Sequence, residues 1–387
     1  MQSRHRTFQL SISNAAARAV ENGHPWIFGE GSGLPPVGKP LELVRQGGGV
    51  VGWGLVDSGS INVRVLGKGR FPEGGIQATL DERMLRADRF RFRMIQGATD
   101  TYRVISGAGD GLPGIVVDRY GGLAVLRVYS SAWESYIQGV VRALERLPWV
   151  ESVWRKFGVE RVDGKQGGEL LFGPQPQSPL VVQEQGIKYL MRPEVGQKTG
   201  LFLDQRFHRD LVRQWAGGRC LANLFAYTGG FSVAAALGGA SRVATVDIAP
   251  HAVSDARENF RLNDVDPAAH IFEVADAFEW QSREQLDMVV VDPPSLVKQK
   301  KQIASGLRAY RSLHRRVGGW LPRDGLLVTS SCTALVGLKE WMDAVGEGVN
   351  RQGEWSWHWT SGQPLDHPFS CGHPEAMYLK FGLLRKR

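Results

Sequence analysis

The chain has 387 residues, 42% hydrophobic and 22% charged, and its 47 Lys and Arg outnumber 39 Asp and Glu for a net charge of +8. Such a length suggests two or three domains, and such a balance excludes a disordered chain. No apolar run approaches the ~18 residues of a membrane span, the basic start from Met1 to Arg6 leads into no apolar signal segment, and Cys220, Cys332 and Cys371 make no disulfide framework, so a protein of the reducing cytoplasm is expected.

Residues 1–73 read as a small β domain, with short apolar runs at Leu41–Arg45, Val50–Val56 and Ile61–Leu66 between Gly-rich turns. In His24-Pro25-Trp26-Ile27-Phe28 the aromatic side chains read as core. Residues 74–187 read as an α+β segment. It has a basic amphipathic helix at Leu80–Ile95, a strand and turn over Val116–Gly122, a strand at Leu123–Val128, a helix at Trp133–Leu147 and a strand at Val150–Phe157.

Residues 188–387 alternate strand and helix, the pattern of a parallel sheet covered by helices. Asp204 is the expected N-cap of a helix to Trp215. Strands are expected at Cys220–Ala226, Arg242–Asp247, Ile271–Val274, Met288–Val291 and Leu326–Ser330. The intervening helices fall at Phe231–Leu237, Pro250–Asn263 and Ala304–Trp320. Late strands at Trp355–Trp359 and Ala376–Leu383 complete seven, with Trp355, Trp357 and Trp359 packing under one face.

Three motifs fall at strand C-termini, where open α/β sheets bind ligands. In the first, Phe225-Ala226-Tyr227-Thr228-Gly229-Gly230 makes a strand-to-helix turn whose small residues let backbone approach a ligand. It is not the GxGxxG of a pyrophosphate site. Asp247, followed by Ile248, ends the next strand, where an acid takes both hydroxyls of a ribose. Asp276, followed by Ala277, follows the third strand, where it faces an adenine amine. Singly each acid reads as a helix cap, but together they suit adenosine without a pyrophosphate, which points to S-adenosylmethionine.

The second motif is Asp292-Pro293-Pro294-Ser295, whose prolines can extend no ladder and so make a rigid loop. A similar clamp holds a planar base amine in amino-directed methyltransferases. The third is Thr329-Ser330-Ser331-Cys332-Thr333. A lone cysteine is usually an inert small hydrophobe, but Cys332 stands at the ligand edge, where a thiolate is suited to attack pyrimidine C6. Cys371 fits no metal pattern and reads as structural.

The chain resembles bacterial large-subunit ribosomal RNA cytosine-C5 methyltransferases that carry an N-terminal PUA domain. The resemblance rests on His24–Phe28, on Asp110–Tyr120, on Gly196–Arg206, on Asp366-His367-Pro368 and on Pro374–Lys380, and covers nearly the whole length. It implies a PUA-like RNA-binding domain at 1–73, a central α+β domain at 74–187 and a seven-stranded Rossmann-like S-adenosylmethionine methyltransferase domain at 188–387. The implied reaction is methylation of C5 of a cytosine in 23S rRNA. Cys332 would be the nucleophile, and Asp292 would hydrogen-bond the base near N3. Lys198, Thr199, Gly200, Phe202 and Arg206 would close over the cofactor beside Phe225, Tyr227, Thr228, Gly229, Asp247, Ile248, Asp276, Ala277, Asp292 and Pro293.

One departure stands out. Many RNA cytosine-C5 enzymes carry a second cysteine after the Pro-Pro, and here Ser295-Leu296 follows, so the base that removes the C5 proton is unassigned. Two alternatives stay open: a guanine N7 or exocyclic-amine methyltransferase of the same fold, with Cys332 structural, and a non-catalytic RNA-binding protein. Expected phosphate contacts are the arginines of Leu80–Ile95 (Arg83, Arg86, Arg89, Arg91, Arg93) and the basic stretch 298–316. No metal is expected, the partner is rRNA rather than a membrane, and monomer and homodimer are both open.

Overall fold

Apolar alternation over Ile61-Asn62-Val63 buries Ile61 and Val63 and leaves Asn62 half-buried, as a strand with one face on a core requires. The computed structural model describes residues 7–29, 33–95, 97–158, 162 and 164–387; the basic Met1–Arg6 start lies outside them. The chain forms two compact units. One comprises Met1–Val182, Met191–Leu203 and Leu365–Ala376; the other comprises Gln183–Leu190, Asp204–Pro364 and Met377–Arg387.

In the first unit β1 (Phe8–Ile12), β2 (Trp26–Phe28), β3 (Pro40–Arg45), β4 (Val50–Val56) and β5 (Ile61–Lys68) form a sheet of order β1-β3-β4-β5-β2. Helix α1 (Asn14–Glu21), capped by the Ser13 hydroxyl, closes a core with Ile12, Val20, Leu41 and Val63. Phe28 departs from the expectation of a core aromatic. A bulge between Ile27 and Phe28 shifts the register against β5, and the ring ends half exposed. Trp26 is only part-buried, edge-on to Phe28.

Helix α2 (Gly75–Met94) packs against a second sheet, β6 (Thr101–Ser106), β7 (Ile115–Tyr120), β8 (Leu123–Val128), β9 (Ser152–Lys156) and β10 (Gly168–Phe172), in the order β10-β9-β8-β7-β6. Helix α3 (Ile137–Glu145) joins the same core, to which the first sheet lends Trp53, Leu55 and Leu66. That shared core is why residues 7–68 and this segment fall in one compact unit. A two-stranded β11 (Leu180–Glu184) and β12 (Ile187–Met191) follows.

The second unit is built on β13 (Cys220–Leu224), β14 (Arg242–Asp247), β15 (Ile271–Val274), β16 (Met288–Val291), β17 (Leu326–Ser331), β18 (Trp355–Ser361) and β19 (Lys380–Lys386). Their order is β15-β14-β13-β16-β17-β19-β18, and all run in one direction except β19, which is antiparallel to both neighbours. Helices α4 (Arg206–Trp215), α5 (Gly230–Leu237), α6 (Pro250–Leu262), α7 (Ile303–Trp320) and α8 (Leu338–Val349) accompany it. The inner strands read as apolar runs because both faces are covered: all four residues of β16 are buried.

Two expectations fail here for local reasons. Asp204 does not cap α4, whose preceding residue is Gln205; the Asp204 carboxylate instead accepts from the Tyr378 hydroxyl at 2.7 Å. The three tryptophans do not share a face. A bulge between Trp357 and Trp359 breaks the period of two, so Trp355 is buried and Trp359 exposed. Among the described residues, no helix is long and apolar enough to cross a membrane.

Candidate active site

Strand order reverses between β13 and β16, the switch point where a crevice opens at the C-terminal edge. Parallel register aligns that edge. Leu224 pairs with both Val246 and Val291, and Val291 pairs with Thr329, so the next residues, Phe225, Asp247, Asp292 and Ser330, form one row. Asp276 lies two residues beyond Val274 and is exposed.

The turn after β13 is wound tightly, with Phe225, Tyr227 and Gly229 in left-handed backbone. A Cβ on Gly229 would fall 2.8 Å from the Ala256 Cβ, so α5 and α6 can approach only with glycine there. The Asp247 oxygens accept from the Tyr227 N–H at 2.7 Å and the Ala249 N–H at 2.9 Å. Each oxygen keeps a lone pair, the acceptor set that a vicinal diol matches. Ile248 beside it is 69% exposed, an apolar surface level with the acid, and Phe278 meets Phe225 edge-on. These features fit an adenosine moiety. Asp276 accepts from the Phe278 N–H at 2.8 Å, and Ala277 is buried with its carbonyl held by Arg316 at 2.5 Å.

Thr228 is buried, and its carbonyl accepts from Asn259 at 2.8 Å. Arg206 opens α4 and is buried. Lys198, Thr199, Gly200 and Phe202 belong to the first unit. There the Thr199 hydroxyl donates to Asp118 at 2.6 Å and pairs with the Tyr120 hydroxyl at 2.8 Å. Lys198 Nζ lies 4.5 Å from the centre of the Phe202 ring, and Lys156 donates to the Pro193 and Gly196 carbonyls, which pins the turn from below. A Cβ on Gly200 would meet the Met191 side chain.

Around Asp292 the polar contacts are dense. Its carboxylate accepts from the Ser330 hydroxyl and from Gln205 Nε2 at 3.1 Å, and Pro293 is buried beside it. Side-chain alternation along β17 explains the arrangement. Ser330 turns to Asp292. On the other face Thr329 bonds His314 Nε2 at 2.7 Å, and Ser331 accepts from Tyr310 at 2.8 Å. Cys332, half-buried, follows directly. Antiparallel pairing sets Lys380 against Ser331, and its ammonium donates to the carbonyls of Thr333 and Val336 beyond the cysteine. Burial lowers the Lys380 pKa to about 8, while the neighbouring Cys332 sulfur pulls it back up.

Sequence reasoning did not single out Gln205, His208 or Lys380, each of which has a partner far off in the chain. Two other sets of residues are corrected. Arg91 is buried and gives both guanidinium nitrogens to Asp110, at 2.6 and 2.7 Å, and so is no phosphate contact; Arg83 turns to the Gly111 carbonyl. In 298–316, Arg311 pairs with Glu347 and Arg316 holds Ala277, which leaves Lys298, Lys300, Lys301, Arg308 and Arg315 exposed. Cys371 is exposed in the first unit. Among the described residues no cluster of His, Cys, Asp and Glu could hold a metal.

Residues 103–345 match the S-adenosylmethionine-dependent methyltransferase family, and residues 10–68 match the PUA-like domain. A ribosomal RNA large subunit methyltransferase of Deinococcus radiodurans is 35% identical over 96% of each chain. The ribosomal RNA large subunit methyltransferase I of Escherichia coli K12 is 31% identical over 96% of this chain and 98% of its own. A SAM-dependent methyltransferase of Streptococcus mutans shares the fold, with a TM-score of 0.82 at 22% identity over 98% of this chain and all of that one. A structure described as a methyltransferase complexed with SAH, also 22% identical with the same coverage, gives 0.85. This chain belongs to the family of S-adenosylmethionine-dependent large-subunit ribosomal RNA methyltransferases with an N-terminal PUA-like domain.

Proposed function

We propose that this enzyme methylates C5 of a cytosine in 23S rRNA through a transient bond between Cys332 and C6. One observation carries the reading: Cys332 follows a strand end whose Ser330 hydroxyl is bonded to the Asp292 carboxylate, so thiol and acid belong to one edge. Asp247, Ile248 and Asp276 would hold the adenosine of S-adenosylmethionine, which supplies an electrophilic methyl group. Residues 1–73 and 74–187 would hold RNA, and 188–387 would do the chemistry. The target base must leave its stack to reach such an edge.

The Cys332 thiolate forms the S–C6 bond, and the C5=C6 pair moves into the C4–N3 system, where N3 takes a proton from water. Asp292 accepts the N3–H hydrogen bond and stabilises the adduct. C5, now enamine-like, takes the methyl group as the bond to the sulfonium breaks. Loss of the C5 proton to water or to a group not yet assigned restores C5=C6, expels the thiolate and is followed by loss of the N3 proton.

A pyrimidine carrying fluorine at C5 cannot lose that position as a proton, so it tests the reading directly. Incubation with 5-fluorocytidine-substituted 23S rRNA and S-adenosylmethionine should give a protein–RNA complex that survives denaturation, and Cys332→Ala should abolish it. Absence of the complex from an enzyme that still methylates the unsubstituted RNA would exclude the covalent route.

A further inference from the structure

Asp292 is the group this reading sets against the base, and two of the donors that hold its carboxylate are themselves bonded to each other. The Ser330 hydroxyl donates to one oxygen. Gln205 Nε2 donates to the other at 3.1 Å and to Ser330 Oγ at 3.1 Å. Both amide protons are thus engaged, and so is the serine proton. The opposite amide orientation would turn Oε1 against a carboxylate, an oxygen with no proton to offer.

What sets that orientation stands behind it. With the amide so oriented, the Gln205 carbonyl oxygen lies 2.5 Å from His208 Nδ1 and accepts from it. His208 Nε2 lies 2.9 Å from the Ser361 hydroxyl, and the ring also bonds the Gly362 backbone. The imidazole stacks flat on Phe381, with ring centres 3.9 Å apart and planes 2° from parallel. Burial keeps the ring neutral, with its pKa down at about 3. Gln205 and His208 are both buried, so water does not compete for these bonds.

We propose that Gln205, its amide oriented by His208, is the positioning residue that keeps the Asp292 carboxylate aimed at the target base. The proposal rests on the role given to Asp292 above. The amide does not touch the base; it acts through the acid. The N3–H that Asp292 meets appears only after Cys332 has added, so the effect falls on turnover rather than on RNA binding.

The test compares Gln205→Leu and Gln205→Glu with the native full-length enzyme. Methyl transfer from labelled S-adenosylmethionine to deproteinised 23S rRNA is followed from about pH 5.5 to about pH 8.5. Gln205→Leu should lower kcat about tenfold or more at every pH, with KM for RNA little changed. Gln205→Glu keeps a donor only while its carboxyl carries a proton, so its rate relative to native should fall about tenfold across that range. The other charges near this cluster, Asp204 and Arg209 facing His208 and Lys380 beside Cys332, are common to both proteins and cancel in the ratio. Thermal unfolding of each variant confirms that it is folded.

A Gln205→Glu ratio that does not change with pH, or Gln205→Leu turnover within twofold of native, would overturn the proposal. An unfolding midpoint that falls with rising pH while the rate ratio stays flat would also overturn it, since it would make the contact structural only. Which nucleoside the native enzyme labels judges the cytosine reading separately, because the ratio is measured on whichever base receives the methyl group.

Discussion

The Lys380 ammonium donates to the carbonyl of Thr333 at 2.8 Å, and Thr333 is the residue that follows Cys332. The same ammonium also binds the carbonyls of Val336 and Tyr378, at 2.9 and 3.0 Å, so it ties down the loop carrying the thiol and sets a cation beside it. A neighbouring cation favours the thiolate over the thiol. Lys380→Met should therefore raise the pH midpoint of Cys332 alkylation and slow the reaction near neutral pH. The check is peptide mass spectrometry after timed iodoacetamide exposure, which separates Cys332 from Cys220 and Cys371. An unchanged midpoint would leave Lys380 a loop anchor only.

His208 and His314 are buried neutral, with pKa values of about 3 and about 4, below the unfolded value of 6.5. The unfolded chain takes up protons that the folded chain refuses, so stability is full above about pH 6.5 and is lost as pH falls toward 4. His314 Nδ1 donates to the Tyr310 carbonyl and its Nε2 bonds the Thr329 hydroxyl, and burial is what disfavours its charged form. His314→Gln should lower the unfolding midpoint at pH 7.5 yet flatten its decline between about pH 6.5 and pH 4.5.

Glu184 and Arg209 are both buried and share two hydrogen bonds, at 2.6 and 2.7 Å, within the second unit. The carboxylate holds the guanidinium charged against burial and pushes the Arg209 pKa up. Glu184→Ala strips the two-bond partner from a buried cation and should cost about 3–5 kcal/mol in denaturant unfolding. Reversal of both charges at once would recover little of this, because the site is shaped for a guanidinium fork.

Arg86, Arg89 and Arg93 follow one exposed stripe of α2, beside exposed Phe90. If that face meets phosphate, Arg89→Gln with Arg93→Gln should weaken rRNA binding and reduce the slope of log K against log salt by about 1 per arginine. Fluorescence anisotropy across a salt series reads this. Arg91→Gln is the contrasting variant: it should unfold the chain more readily, since it strips the buried partner from Asp110.

Much of this was readable in the chain because the evidence for it is local. Three acids at strand ends and a rigid Asp292-Pro293-Pro294 follow from β–α alternation, which fixes where a parallel strand stops. Helix α8 was missed because Gly346 and Gly348 weaken its pattern. Gly348 has a packing reason, since a Cβ there would come within 2.6 Å of the Arg311 carbonyl of α7. The contacts of Gln205 and Lys380 were not readable for a different cause. Their partners Asp292, Ser330 and Thr333 lie 87, 125 and 47 residues away, distances that only the sheet register closes. Arg91 read as a surface cation because the aspartate that buries it sits 19 residues on, past a strand.

The most direct test of the central claim is mass spectrometry of nucleosides from deproteinised 23S rRNA incubated with the enzyme and methyl-labelled S-adenosylmethionine. The account predicts label in 5-methylcytidine with native enzyme and none with Cys332→Ala. Label in a methylguanosine, or 5-methylcytidine formed undiminished by Cys332→Ala, would contradict it.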